Sequence, residues 1–309
     1  MPMLRALVPT AILLFAFFPR PVRAAEGEPI RYRLAFPAPR SHYVEVEASF
    51  PTDGKPTVSL MMPVWTPGSY LVREFARHVE NLSARVPDDS GAVPSVVKVR
   101  KNRWDVRLPQ APGGKAADRL TVSYRVYCRE MGVQTNWVDA SFALLNGAAT
   151  FLTLADDTKP RPHEVVLQPA QGWKRSISGL PEIPGEEPHR FVAADFDELV
   201  DSPIYAGNPT IHEFKVDGIP HLLVNEGEGG IWDGPRSAKD VEAIVRAERD
   251  FWGFLPYKRY VFFNLLTEMG GGLEHRNSTV LMASRWATRT RPSYLSWLHL
   301  VAHEYFHTW

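Results

Sequence analysis

Tyr43-Val44-Glu45-Val46-Glu47-Ala48 alternates apolar and charged side chains with a period of two. That is the signature of a strand with one face buried and one face wet. Working outward, Leu120, Val122, Tyr124 and Val126 alternate in the same way with Thr121, Ser123, Arg125 and Tyr127. Ser95 to Leu108 carries a further alternating pattern, with Lys101-Asn102 placed to turn it into a hairpin. Turn chemistry separates these runs at Thr52-Asp53-Gly54, Asp88-Asp89-Ser90-Gly91 and Pro112-Gly113-Gly114. From Ile30 to about Gly227 the chain therefore reads as strands and turns. The expected fold is a mainly β N-terminal domain, an antiparallel sandwich or saddle packed on itself.

The pattern changes beyond about residue 230. Ser237 with Asp240 three positions later reads as a capping box, and Val241, Ile244, Val245 and Phe251 follow with helical spacing. Gly253 and Pro256 end that helix. Tyr260 to Leu266 and Ser278 to Ala283 read as strands, and Pro292 opens a helix with Leu295, Leu298 and Val301 as its apolar members. The expected organisation is a signal peptide over 1–24, a β domain over 25–225, and an incomplete α+β catalytic domain over 226–309.

Composition bounds the function. The chain has 309 residues, with 35 Lys+Arg balancing 35 Asp+Glu, so nothing in its charge suggests a nucleic-acid partner. Its single cysteine, Cys128, excludes a disulfide framework and reads as a small buried hydrophobe on a strand. Arg5, the apolar run Ala6 to Phe18 and the small residues around Val22-Arg23-Ala24 have the form of a secretory signal. That run is too short to span a bilayer, and no other stretch approaches membrane-span length. A secreted or periplasmic location is expected.

The chemistry concentrates in two places. His303-Glu304-Tyr305-Phe306-His307 is an HExxH sequence. Residues four apart share a helix face, so both imidazoles can meet one zinc ion while Glu304 reaches the attacking water as general base. His299, one turn earlier, drifts too far around the helix to converge with them and reads as an ordinary helix histidine. About 30 residues upstream stands Met269-Gly270-Gly271-Gly272-Leu273-Glu274-His275. Glycines after a strand let backbone approach a ligand closely, and a neighbouring carboxylate can hold a peptide's free amine. Gly270, Gly271, Gly272, Glu274 and His275 are the candidate substrate-binding residues. Trp65, Tyr70 and Phe75 read as core or interface packing, His212, Glu213 and His221 lack metal-ligand spacing, and Arg285, Arg289 and Arg291 read as a solvated loop.

Residues 269–275 and 303–309 together resemble the glycyl-aminopeptidase family of gluzincin metallopeptidases. Met62-Pro63-Val64-Trp65-Thr66-Pro67-Gly68-Ser69-Tyr70, Arg73-Glu74-Phe75, Asp195-Phe196-Asp197-Glu198-Leu199 and Asp201-Ser202-Pro203 fit the same resemblance. It implies an N-terminal β domain, a thermolysin-like catalytic domain and often a PDZ domain. It also implies one zinc ion on His303 and His307, Glu304 as base, and Glu274 near the substrate's amino end. The family's third ligand is a glutamate roughly 20 residues after HExxH, a position beyond Trp309. The chain is thus expected to be cut within its catalytic domain, and residues 25–309 alone to show negligible peptidase activity. The substrates implied are peptides with a free N-terminus. A zinc endopeptidase, or a non-catalytic secreted β-domain binding module, are the alternative readings.

Overall fold

The computed structural model describes residues 27–87, 93–109, 117–157, 159–185 and 188–309. The expected signal segment at 1–24 and the expected turns at 88–91 and 112–114 lie outside these residues. No helix among the described residues is long and apolar enough to cross a membrane.

The strand that decides the fold is Tyr43–Pro51, paired antiparallel with Arg119–Tyr127. Val44 faces Val126, Val46 faces Tyr124, and Phe50 faces Leu120 across that pair, all buried. These two strands centre a six-stranded sheet ordered Arg190–Ala193, His163–Gln168, Ile30–Ala35, Tyr43–Pro51, Arg119–Tyr127, Val79–Arg85. Its one parallel pair joins Ile30–Ala35 to His163–Gln168. A four-stranded sheet contains the hairpin expected around Lys101-Asn102, formed by Ser95–Arg100 and Arg103–Arg107. Its Val58, Leu60, Trp104 and Val106 share one core with the larger sheet, which makes the sandwich.

A third sheet, built from Arg175–Ser178, Ile204–Gly207, Ala143–Leu145 and Trp137–Val138, has apolar residues on both faces. Leu145, Ile204 and Ala206 join the sandwich core. Leu144, Ile177 and Tyr205 join a second cluster with Val261, Phe263, Val280 and Met282. This sheet is therefore the floor on which the rest of the chain is built.

The five-stranded sheet above it is ordered Thr210–Val216, Ile219–Glu226, Tyr260–Leu266, Ser278–Ala283, Gly271–His275. Its three middle strands run parallel. Every residue of Tyr260–Leu266 is buried, as a central parallel strand requires. Odd and even positions separate cleanly: Tyr260 and Phe262 face two helices, while Val261 and Phe263 face the floor. The helices are Gly234–Trp252 and Arg291–Phe306. Strand pairing places Thr210–Val216 and Ile219–Glu226 in this five-stranded sheet.

Two local expectations change. The first helix begins at Gly234, capped by the Asp233 side chain accepting from Arg236 N at 3.2 Å, not at Ser237. Ser237 lies inside the first turn and donates back to Asp233 O. In the second helix Leu295 is exposed, and the buried stripe is Tyr294, Trp297, Val301, Glu304 and Tyr305. The larger aromatic residues take the core-facing positions.

A candidate metal centre beside a glycine-rich edge strand

The HExxH helix starts where Thr290 accepts a hydrogen bond from Ser293 N, with Pro292 in the first turn. Because Tyr294, Trp297 and Val301 turn inward, Glu304 also points inward and is 6 % exposed. His303 and His307 stay on the solvent side, and their Nε2 atoms lie 3.3 Å apart. Zinc–nitrogen bonds of about 2.0–2.1 Å at tetrahedral angles put two ligating nitrogens about 3.3–3.4 Å apart. The separation of the pair therefore matches that of two nitrogens on one such ion. Ligand atoms of His303, Glu304 and His307 all fall within 4.8 Å of one another, and exposed His299 lies outside that group.

The Gly271–His275 strand forms the sheet edge next to this helix, paired antiparallel with Ser278–Ala283. Alternation divides the candidate substrate residues into two sets. Gly272 and Glu274 face the helix; Leu273 and His275 face away and are buried. A side chain at Gly272 would collide with the carboxylate of Glu304, so glycine is what admits the inward turn of that side chain. Gly271 adopts φ +138°, a conformation closed to most residues, whereas a side chain at Gly270 would meet open space. Only two of the three glycines are thus required by geometry.

Glu304 is electrostatically unusual. Burial pushes its carboxyl up to about 7, the charge of Glu274 pushes the same way, and His307 opposes both. A buried carboxyl poised near neutrality can accept and return a proton at physiological pH. No lysine or arginine is among the groups that shift it.

His275 departs from the sequence reading. It is 3 % exposed, and its Nδ1 sits 2.9 Å from Asp201 Oδ1, away from the HExxH side. Its side chain faces away from the helix that carries Glu304. Trp65 and Tyr70 also depart, being 47 % and 97 % exposed, whereas Phe75 is buried as expected. His221 is buried, stacked on Phe214 and hydrogen-bonded to Tyr257. Two residues escaped the sequence reading as site components: Asp201, and Gly68, whose Cα backs directly onto Glu274. Both stood inside recognised segments, but nothing in their spacing links them to Glu274.

A β sandwich thus carries a mixed sheet in which HExxH is set against a glycine-rich edge strand. The model of the Peptidase M61 N-terminal domain matches residues 31–208, more than half of the chain. The chain belongs to this M61, glycyl-aminopeptidase-like family of metallopeptidases. It is similar to an aminopeptidase N family protein from Idiomarina loihiensis, with 30% identity and a TM-score of 0.81. That match covers 91% of this chain and 47% of the other, so the chain spans about half of that protein's length. Aminopeptidase A of Legionella pneumophila, solved with aspartic acid, shares the fold at 16% identity and a TM-score of 0.55. It covers 91% of this chain and 34% of its own. No curated protein sequence matches the chain.

Proposed function

We propose that the protein is an exported zinc aminopeptidase that releases small N-terminal residues such as glycine or alanine. The observation that carries the metal reading is the 3.3 Å Nε2–Nε2 separation of His303 and His307 beside a buried carboxyl. When bound, the ion supplies Lewis-acid polarisation of the scissile carbonyl. Glu304 accepts a proton from the attacking water as its oxygen bonds to that carbon. The C–N bond then breaks, and Glu304 returns the proton to the leaving amine. Glu274 holds the substrate's ammonium, and the Gly270–Gly272 backbone runs beside the peptide.

The position of Glu274 favours an aminopeptidase over an endopeptidase. Its carboxylate is close enough to raise the Glu304 carboxyl, so an ammonium held there would lie near the group that handles the proton. The test uses the protein expressed from its natural gene, with metal analysis and paired peptides that differ only in N-acetylation. One zinc per chain, cleavage of free-amine glycyl and alanyl peptides, and little cleavage of acetylated ones are expected. Equal cleavage of both peptides would establish the endopeptidase instead. Binding without zinc or turnover would leave a secreted binding module.

A further inference from the structure

Glu274 belongs to the five-stranded sheet, yet residues of the N-terminal β domain hold it from two sides. Asp201 follows the short helix Phe196–Val200 and uses both carboxylate oxygens on the end of the edge strand. Oδ1 accepts from His275 Nδ1 at 2.9 Å, and Oδ2 accepts from Arg276 N at 3.0 Å. A carboxylate can only accept, so the proton on this ring is at Nδ1. His275 Nε2 is buried without a partner among the described residues, which leaves Asp201 as the ring's anchor. Next along the turn, Asn277 Nδ2 donates to Gly179 O at 2.8 Å, and Arg259 donates to Ser178 O. The strand end is therefore pinned to the first domain by side chains and backbone together.

The second hold is the loop around Gly68. It is closed by Ser69 N donating to Thr66 O at 3.1 Å and Trp65 Nε1 donating to Ser69 O at 2.7 Å. A Cβ on Gly68 would stand 2.7 Å from Leu273 Cδ1 and 3.0 Å from Glu274 Oε1. The loop backbone is thus the wall against which the Glu274 carboxylate rests.

We infer that the first domain sets the position of the amino-end subsite, and that Asp201 is a positioning residue for Glu274. Asp201 touches no reacting atom. It fixes the twist and height of the strand, and alternation carries that constraint one residue along to Glu274. Displacements of an ångström at a recognition group are enough to cost large factors in rate or affinity. The two stretches around Asp201 and Gly68, otherwise remote from the chemistry, thereby acquire one shared task. The inference rests on Glu274 as the holder of the substrate's ammonium.

The experiment is a double-mutant cycle in the natural-length protein, reading KM and kcat on a glycyl peptide and its N-acetylated counterpart. Asp201→Asn keeps size but presents an N–H where an acceptor is needed. It is expected to raise KM for the free-amine peptide about tenfold and change kcat less than about threefold, with zinc content unaltered. Combined with Glu274→Gln, it should add no further KM effect. If Asp201→Asn does not fold, Asn277→Ala removes a milder clamp and should raise KM about threefold. The inference is overturned if KM is unmoved, or if the effect persists undiminished with Gln at 274. Should Glu274→Gln itself leave the free-amine KM unchanged, the amino-end reading falls, and this inference with it. Should Glu274→Gln raise KM while Asp201→Asn does not, the reading stands and only the role of Asp201 falls.

Discussion

The two halves of the molecule treat buried charge in opposite ways. In the sandwich, Arg161 is 2 % exposed and fully compensated. Its Nε and Nη2 reach Asp157 and Asp53 at 2.6 and 2.7 Å, and its Nη1 donates to Glu28 O at 3.1 Å. On the two helices that cover the five-stranded sheet, Glu304 and Glu248 lack such partners among the described residues. Glu304 faces another carboxylate, and Glu248 Oε2 is buried with no hydrogen bond among the described residues. Burying an uncompensated charge is costly, so a fold tolerates it where some other advantage holds it in place. The comparison separates a sandwich whose buried charge is paired from a helical layer whose carboxyls are held without a cation.

The largest expected effect tests the uncompensated half. Glu304→Gln should lower kcat on a glycyl peptide by about a thousandfold, or about 4 kcal/mol in barrier, while His303 and His307 still bind the metal. The same variant should not lower the melting temperature at neutral pH, because it removes a buried negative charge facing Glu274. A fall in melting temperature with activity retained would reverse the assignment and make Glu304 part of the scaffold.

Legibility in the sequence follows the same division. Tyr43–Pro51 and Arg119–Tyr127 were readable because each buries one face, so the alternation survives in the residue types. HExxH was readable because its logic is contained in one helical turn. The helix start at Asp233 was masked by a second plausible cap at Ser237, although Pro235 in the first turn was a usable signal. Leu295 misled because apolar residues occupy more of that helix than the core can cover. The Asp201–His275 contact joins residues 74 apart through tertiary packing, and no local periodicity encodes it. In the sequence, only its place next to Glu274 makes His275 read as a substrate residue.

Next in size is a break in the compensated half. Arg161→Met leaves Asp53 and Asp157 without the guanidinium that both share. The expected loss is about 3 kcal/mol of unfolding free energy, measured by urea titration, since an abandoned partner in a buried pair retains its desolvation cost. Metal content should be unaffected. A loss below about 1 kcal/mol would mean that Lys159, 3.1 Å from Asp53, compensates the pair from the surface, and the contrast between the halves would shrink accordingly.

The smallest effect probes Glu248, which has no proposed part in the chemistry. Burial alone pushes its carboxyl up to about 8. Below about pH 4.5 both folded and unfolded chains hold the proton, and the group is neutral to stability. Between 4.5 and 8 the unfolded chain releases the proton while the folded one keeps it, so stability falls as pH rises through this window. Glu248→Gln removes the titration, and its advantage over the parent should grow from nothing near pH 4.5 to a maximum near pH 8. Discounted for its partial exposure to roughly 1 kcal/mol, that is a gain of about 2–4 °C in Tm at pH 8. The polarity of the pH dependence carries the argument: Glu248 has no cation to depress its carboxyl, so its advantage must vanish towards acid. An advantage that instead grew towards acid would show a cation paired with Glu248 in solution, placing it with Arg161 among the compensated charges.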